Sequence, residues 1–171
     1  RSPILALRQH FDLYATLRPV LGQWQPFGAR LSPQTSAVDE SLHDKPGQAP
    51  GNWLDLLIVR ENTEGLYAGR ERREGDTAIA ERVITRRASE RIARVAFTLA
   101  RQRAELRRSA TAHFPISHSA NPQLTIVHKA NVLKLTDGLF REVCLAAARA
   151  YPDVAVNEML VDAAAMWLVK D

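Results

Sequence analysis

The chain has 171 residues, 46% of them hydrophobic and 25% charged, with a net charge of +4. Those values describe one ordinary globular domain, and with no apolar run of 18 residues they exclude a membrane-spanning helix. The lone Cys144 excludes an internal disulfide and a multi-cysteine metal site, and it suits a reducing, cytoplasmic setting.

Of the 23 basic residues only Lys45, Lys129, Lys134 and Lys170 are lysines; the others are arginine. The arginines alternate with acids instead of forming a block, and the aromatics are not spaced as base-stacking platforms. Nucleic acid is therefore not an expected partner, and neither is a membrane. Arginine equally suits a bidentate grip on carboxylates.

The opening RSPILALRQH carries neither the apolar region nor the cleavage site of a secretory leader. Residues 3–13, PILALRQHFDL, read as a short helix, and YATLRPV from Tyr14 as a short strand halted by Pro19. Residues 21–53 gather Pro26, Pro33, Pro46 and Pro50 among few large apolar groups. That composition predicts a long surface loop with a brief strand near Trp24 and Phe27. LDLLIVRENTEGLY, residues 54–67, opens with an apolar run typical of a buried strand and stops on Arg60 and Glu61. GLYAG turns after it.

TAIAERVITR, residues 77–86, alternates as a strand or extended arm. RASERIARVAFTLARQRAELRR then sets Ala88, Ile92, Val95, Ala96 and Leu99 at helical spacing. Residues 109–122 are a second loop, whose His113 and His118 are a poor metal pair and are assigned to solvent. LTIVHKANV, residues 124–132, is an apolar strand ending on charge and amide, with His128 pointing away from Lys129. Thr136 or Asp137 can cap the helix GLFREVCLAAARAY, where Cys144 is a small core residue and Pro152 brings the end. VAVNEMLV makes a further strand, and DAAAMWLVK begins a last helix with Asp162 at its start. This alternation predicts an α/β chain with substantial parallel pairing.

Three strand ends carry polar groups: Arg60, then Lys129 with Asn131, then Asp162. Arg8 and Arg18 can converge on them if the first helix turns directly into the first strand, and Tyr67 lies just beyond Arg60. Three arginines around one pocket would bind a di- or tricarboxylate. A lysine among them could serve as a base, Tyr67 could donate a proton, and Asp162 could bind Mg²⁺ or Mn²⁺. The plainer alternative is unrelated surface charges with an N-cap at Asp162. There is no GxxxxGK[ST], no GxGxxG and no nucleophile elbow.

LRQHFDLYATLRP, IVRENTEGLYAG, HKANVLKLTDGLFRE and VDAAAMWLV resemble, in order, four signature stretches of the β-decarboxylating dehydrogenases. That family holds isocitrate, isopropylmalate, homoisocitrate and tartrate dehydrogenases. The resemblance implies an α/β, isopropylmalate-dehydrogenase-like fold, with central strands, flanking helices and an interface arm. It assigns residues 1–19 to a piece of the first, nucleotide-binding domain. Residues 20–171 become the second, substrate and dimer-interface domain, incomplete at its C-terminal end.

The resemblance also implies the roles. Arg8, Arg18 and Arg60 are the substrate arginines, Tyr67 and Lys129 the catalytic pair, and Asn131 the nicotinamide-side residue. Asp162 is a metal ligand, and Lys129 and Asp162 serve the partner subunit's pocket in a homodimer or tetramer. NAD or NADP and Mg²⁺ or Mn²⁺ are the implied cofactors, and the substrate is a small hydroxy-carboxylate. Ser2 matches a serine that isocitrate enzymes use for the far carboxylate, while Ile4 replaces the asparagine beside it. Homoisocitrate, alone or with isocitrate, ranks first as substrate, isocitrate second and isopropylmalate third. The family's opening strand and glycine-rich turn, two further metal aspartates and adenosine loop have no counterpart here, so the isolated chain is expected to be inactive. A regulatory, non-catalytic subunit is the competing reading, which the presence of Tyr67, Lys129 and Asp162 disfavours.

Overall fold

Ala88, Ile92, Ala93, Phe97 and Ala104 all fall within one half of a helix's circumference, and all are buried. They belong to helix α2, Arg86–Ser109, the longest described element, which packs against α3, β2 and β5. A computed structural model describes residues 3–23, 53–109 and 121–170. Ser2, Trp24, Phe27, His113, His118 and most of the two expected loops lie outside the described residues.

Helix α1 (Pro3–His10) turns at once into strand β1 (Ala15–Gln23), through Asp12 at a φ of 45°. Strand β1 pairs antiparallel with β2 (Trp53–Glu61), Ala15 opposite Glu61 and Gln23 opposite Trp53. The expected stop at Pro19 does not occur: Pro19 sits in register opposite Leu57. Among the described residues β1 has a neighbour on one side only, and an edge strand tolerates proline's missing N–H. The same two-stranded arrangement leaves β2 half-buried rather than buried, with Ile58 exposed.

After β2 a 3₁₀ turn (Leu66–Ala68) follows Gly65, whose φ of 67° and ψ of −132° suit only glycine. Gly65 exchanges backbone hydrogen bonds with Val83. Between them lies a hairpin, β3 (Glu71–Glu74) and β4 (Thr77–Ala80), turning at Gly75 and Asp76. Strand β4 falls within the strand or arm expected at residues 77–86, whereas β3 has no counterpart among the expected elements. All four residues of ERRE are exposed, so no apolar alternation marks the strand. The exposed hairpin takes the place of the expected arm.

Strand β5 (Gln123–His128), helix α3 (Thr136–Ala148), strand β6 (Ala155–Leu160) and helix α4 (Val161–Lys170) complete the order. Strands β5 and β6 are parallel with α3 as the crossover, Gln123 opposite Ala155 and His128 opposite Leu160. Among the described residues this is the one parallel pairing in three two-stranded sheets, fewer than the alternation predicted. Phe97, Ala93, Ile126, Cys144 and Val154 form the core between α2, α3 and this pair. Burial pushes the Cys144 thiol up to about 12, which keeps it an inert packing residue, as expected. Helix α3 ends four residues before Pro152, earlier than expected.

Two ion clusters fasten α2 to β2. Asp55 is nearly buried and takes hydrogen bonds from Arg103 and, at 2.6 Å, Arg107. Glu61, at the far end of the strand, is met by Arg91 at 3.0 Å. Burial works to raise both carboxyl groups, but hydrogen bonds, and at Asp55 also the charges of Arg103 and Arg107, prevail and hold them below their ordinary values of 3.8 and 4.5. Carboxyls depressed in the folded state add stability that is present above their unfolded values and lost as pH falls through the folded ones. The urea midpoint is therefore expected to hold at neutral pH and fall between about pH 5 and pH 2. A smaller fall over that range in Asp55→Asn than in the parent ties the difference to this carboxyl, with the remainder left to Glu61 and the other paired acids.

Candidate active site

Asp55 and Glu61 meet arginines of α2, so strand alternation turns Arg60 to the opposite face of β2. There its guanidinium lies 4.8 Å from the centre of the Tyr67 ring. Arg8, from α1, lies 5.7 Å from the same ring. Contact with the ring's negative face offsets part of the repulsion between the two cations. Arg18 stands opposite Ile58, which puts it on the Arg60 face one diagonal step away. The tight α1–β1 turn brings Arg8 to Tyr67 and Arg60, while Arg18 shares their sheet face with no direct contact to the ring among the described residues. Arg8, Arg18 and Arg60 form no ion pair with an acid among the described residues, whereas Arg91, Arg103 and Arg107 of α2 all do. Their donors remain available to an anion.

The second group stands at the carboxyl edge of the parallel pair. Strand β5 ends at His128, not at Val132 as expected, and Lys129 begins a turn that also holds Asn131. The physical reason is Asp137, 2% exposed, whose Oδ2 accepts the Lys129 backbone N–H at 2.7 Å. That contact takes Asp137 away from capping α3, where the N-terminal residue makes no side-chain cap. Arg82 stands 3.0 Å from the other oxygen of Asp137. The Lys129 carbonyl then accepts the N–H groups of Val132 and Leu133, which closes the turn.

Because parallel strands end at one edge, Lys129 after β5 meets Asp162 in the first turn of α4. Lys129 Nζ donates to Asp162 Oδ1 at 2.6 Å, and this bond holds the exposed Asp162 carboxyl below its ordinary value. His128 points the other way, as expected, and is buried with Nδ1 accepting the Ala130 N–H. Asn131 is exposed. Among the described residues no hydrogen bond or ion pair joins the lysine–aspartate group to the arginine–tyrosine group.

A model of the isocitrate/isopropylmalate dehydrogenase family matches residues 1–171. The chain belongs to that family. It is 42% identical over 170 residues to the homoisocitrate dehydrogenase of Methanocaldococcus jannaschii, covering 99% of this chain and 41% of that enzyme. It is 50% identical over 118 residues to the 3-isopropylmalate dehydrogenase of Archaeoglobus fulgidus, covering 69% of this chain and 31% of the relative. The crystal structure of isocitrate dehydrogenase from Methylococcus capsulatus matches with a TM-score of 0.68 and 34% identity, over 100% of this chain and 41% of that one. The chain thus spans about two fifths of the length of these relatives. The isocitrate/isopropylmalate dehydrogenase fold is α/β, as expected, and oxidative decarboxylation of hydroxy acids is the family's chemistry. Among the described residues no helix is long and apolar enough to cross a membrane.

Within this dehydrogenase framework Asp162 is a fitting single oxygen ligand for a divalent cation, exposed and held ionised by Lys129. Such an ion takes several more ligands, and no cluster of three acidic, histidine or cysteine side chains occurs among the described residues. The rest of a coordination shell would come from substrate, water or residues beyond these.

Four residues that the sequence reading left aside shape the first group. Glu61 accepts the Thr63 N–H and hydroxyl at 2.9 and 2.6 Å and the Glu64 N–H at 2.8 Å. Glu64 accepts the Thr85 N–H and hydroxyl, and Thr85 in turn accepts the Ala88 N–H at the start of α2. In RENTEG, then, Arg60 faces Tyr67 while the two glutamates fix the turn. Arg91 on α2 completes this set. The spacing Glu61-x-x-Glu64 before a glycine is the signal for the turn; nothing local singles out Arg91 among the other arginines of α2.

Proposed function

We propose that the full-length protein containing this chain performs the metal- and NAD(P)-dependent oxidative decarboxylation of a 2-hydroxy di- or tricarboxylic acid. Homoisocitrate, isocitrate or both are the substrates we favour, with isopropylmalate as the alternative. The observation that carries this reading is the Arg8–Tyr67–Arg60 cluster, with Arg18 on the same sheet face and, among the described residues, no acid paired to any of the three. Two cations at one phenol, with a third on the same sheet face, match a polycarboxylate better than a single anion.

In this reading Arg8, Arg18 and Arg60 hold the substrate's carboxylates, with Ser2 toward the far one. Lys129 Nζ, as the neutral amine, receives the hydroxyl proton as the carbinol carbon is oxidised. Tyr67 Oη gives a proton to the enolate carbon left when CO₂ departs. Asn131 lies on the nicotinamide side, and Asp162 supplies one ligand to the metal. Bound Mg²⁺ or Mn²⁺ would polarise the substrate's oxygens, and bound NAD⁺ or NADP⁺ would accept the hydride. The domain reading puts residues 1–19 with the nucleotide-binding domain and 20–171 with the substrate and interface domain, strand β1 running through that boundary.

Lys129 and Asp162 would serve the pocket of a second subunit, in a homodimer or tetramer. That no hydrogen bond or ion pair among the described residues joins them to the arginine–tyrosine group supports this arrangement. The test is an assay of the full-length protein with Mg²⁺ and each nicotinamide cofactor against homoisocitrate, isocitrate and isopropylmalate. Two variants impaired in different roles, Arg60→Gln in substrate binding and Lys129→Ala in proton transfer, are then mixed, unfolded and refolded together, and assayed at a substrate concentration well below the KM of Arg60→Gln. Shared sites predict recovery of about a quarter of parental activity, since half the dimers are mixed and each has one intact site. No recovery would refute shared sites, and no turnover of any of the three acids would refute the substrate assignment. The 171-residue chain alone is expected to show no turnover.

A further inference from the structure

Arg91 sits in the second turn of α2 with its side chain 19% exposed, and it reaches four partners at once. Its Nη1 donates to both oxygens of Asp12, at 2.8 and 2.9 Å. Its Nη2 donates to Glu61 Oε1 at 3.0 Å and to Thr63 Oγ1 at 2.5 Å. The guanidinium carbon lies 4.2 Å from the centre of the Tyr14 ring. These partners come from the α1–β1 turn and from the end of β2, the two places that supply Arg8 and Arg60.

The links can be followed around a closed ring. The Leu13 N–H donates to the Arg8 carbonyl at 2.9 Å, so the end of α1 is fixed to the Asp12 turn. Asp12 has a φ of 45°, a conformation that costs a non-glycine residue energy and persists where something holds it. Here the holding group is the Arg91 fork. On the other side Glu61 is bonded to Arg91 and is the immediate neighbour of Arg60. Tyr67, between Arg8 and Arg60, completes the ring. A fork of this kind is rigid, and lysine, a single point donor, could not hold both carboxylates in the same way.

We infer that Arg91 is a positioning residue for substrate: by bridging Asp12 and Glu61 it sets the spacing of Arg8 and Arg60 on either side of Tyr67. Arg91 itself faces away from the pocket side of β2 and touches no substrate. Helix α2 also packs on α3 and β5, so the same helix carries the arginine frame and supports the strand leading to Lys129.

This inference rests on the reading of Arg8 and Arg60 as carboxylate-binding groups, and its test separates the two. In the full-length enzyme, Arg91→Gln, Arg91→Lys, Asp12→Asn, Arg60→Gln and Asp55→Asn are compared for KM, kcat and melting temperature, with the best of the three acids as substrate. Misplacement of binding groups by an ångström can cost on the order of 100-fold, so a partial release in Arg91→Gln is expected to raise KM about tenfold with kcat within about threefold. Arg91→Lys should fall between Arg91→Gln and the parent. Asp12→Asn removes one exposed end of the bridge and should raise KM with little change in melting temperature, which keeps the test open if Arg91→Gln folds poorly. Asp55→Asn loosens α2 from β2 away from the ring and should lower the melting temperature while leaving KM unchanged. If Arg60→Gln raises KM but Arg91→Gln and Asp12→Asn do not, the positioning role is overturned and the substrate reading stands. If KM rises as much in Asp55→Asn as in Arg91→Gln, Arg91 is structural only. If Arg60→Gln leaves KM unchanged, the substrate reading itself fails.

Discussion

Replacing Lys129 by alanine is expected to lower kcat of the full-length enzyme by about 10² to 10⁴, the span that a positioned proton acceptor contributes. The expectation depends on the loss being confined to the side chain, and the local structure favours that. The turn at Lys129 is held by backbone: its N–H goes to Asp137, its carbonyl to the N–H groups of Val132 and Leu133. None of these bonds uses the amine. What disappears is the ion pair with Asp162, whose side chain is 65% exposed, and exposed pairs of this kind add little stability. Melting temperature should therefore stay near that of the parent while turnover collapses. Partial return of turnover on adding a small primary amine would show that the missing function is the amine itself. Turnover within tenfold of the parent would remove Lys129 from the proton-transfer role.

The contrast between Lys129 and Asp137 also explains where sequence reading succeeded and where it stopped. Strand β2 and helix α2 were legible because their patterns are local: an apolar run ended by charge, and a helical repeat of Ala88, Ile92 and Leu99. The strands β5 and β6 and the start of α4 were legible for the same reason. The end of β5 was not, because it is set by Asp137 reaching back across eight residues to Lys129. Pattern alone ran the strand on through Ala130 and Val132. Pro19 failed as a stop because the rule it follows concerns central strands, and whether β1 is an edge is a tertiary fact. Strand β3 was missed because a solvated hairpin needs no apolar face, although Gly75-Asp76 between ERRE and TAIA is a recognisable two-residue loop.

For the site, spacing suggested the groups and the resemblance supplied their roles, but neither described the frame. Arg8, Arg60 and Tyr67 could be named from motifs; their approach to one another required the α1–β1 turn and its Asp12. Arg91 contributes through partners far away in sequence, from Asp12 to Glu61. Several arginines on α2 look alike on the page, and they differ only in which acid stands opposite: Asp12 and Glu61 for Arg91, Asp55 for Arg103 and Arg107, Asp153 for Arg101.

Phe97→Ala is expected to produce the opposite profile to Lys129→Ala, a loss of about 3 to 5 kcal/mol in stability with the chemistry retained while the protein remains folded. Phe97 is 0% exposed and lies in the core with Ala93, Ile126, Cys144 and Val154. Its ring stacks on Tyr151, centres 4.7 Å apart and planes 12° from parallel. Tyr151 in turn lies under Arg101, whose guanidinium carbon is 4.5 Å from the ring centre and which is ion-paired to Asp153. Truncation removes a large buried side chain, leaves a cavity between α2 and the β5–β6 pair, and strips Tyr151 of its stacking partner. Phe97→Leu, which refills most of the volume without the ring, should lose less than half as much. Urea unfolding of the two variants reads both terms. Neither change alters the backbone bonds that fix Lys129, so kcat measured below the variant's unfolding transition should remain within about threefold of the parent. A kcat loss comparable to that of Lys129→Ala would mean that the packing of α2 on β5 sets the position of the lysine more tightly than Asp137 does. A stability loss under about 1 kcal/mol would mean that the core closes over the missing ring.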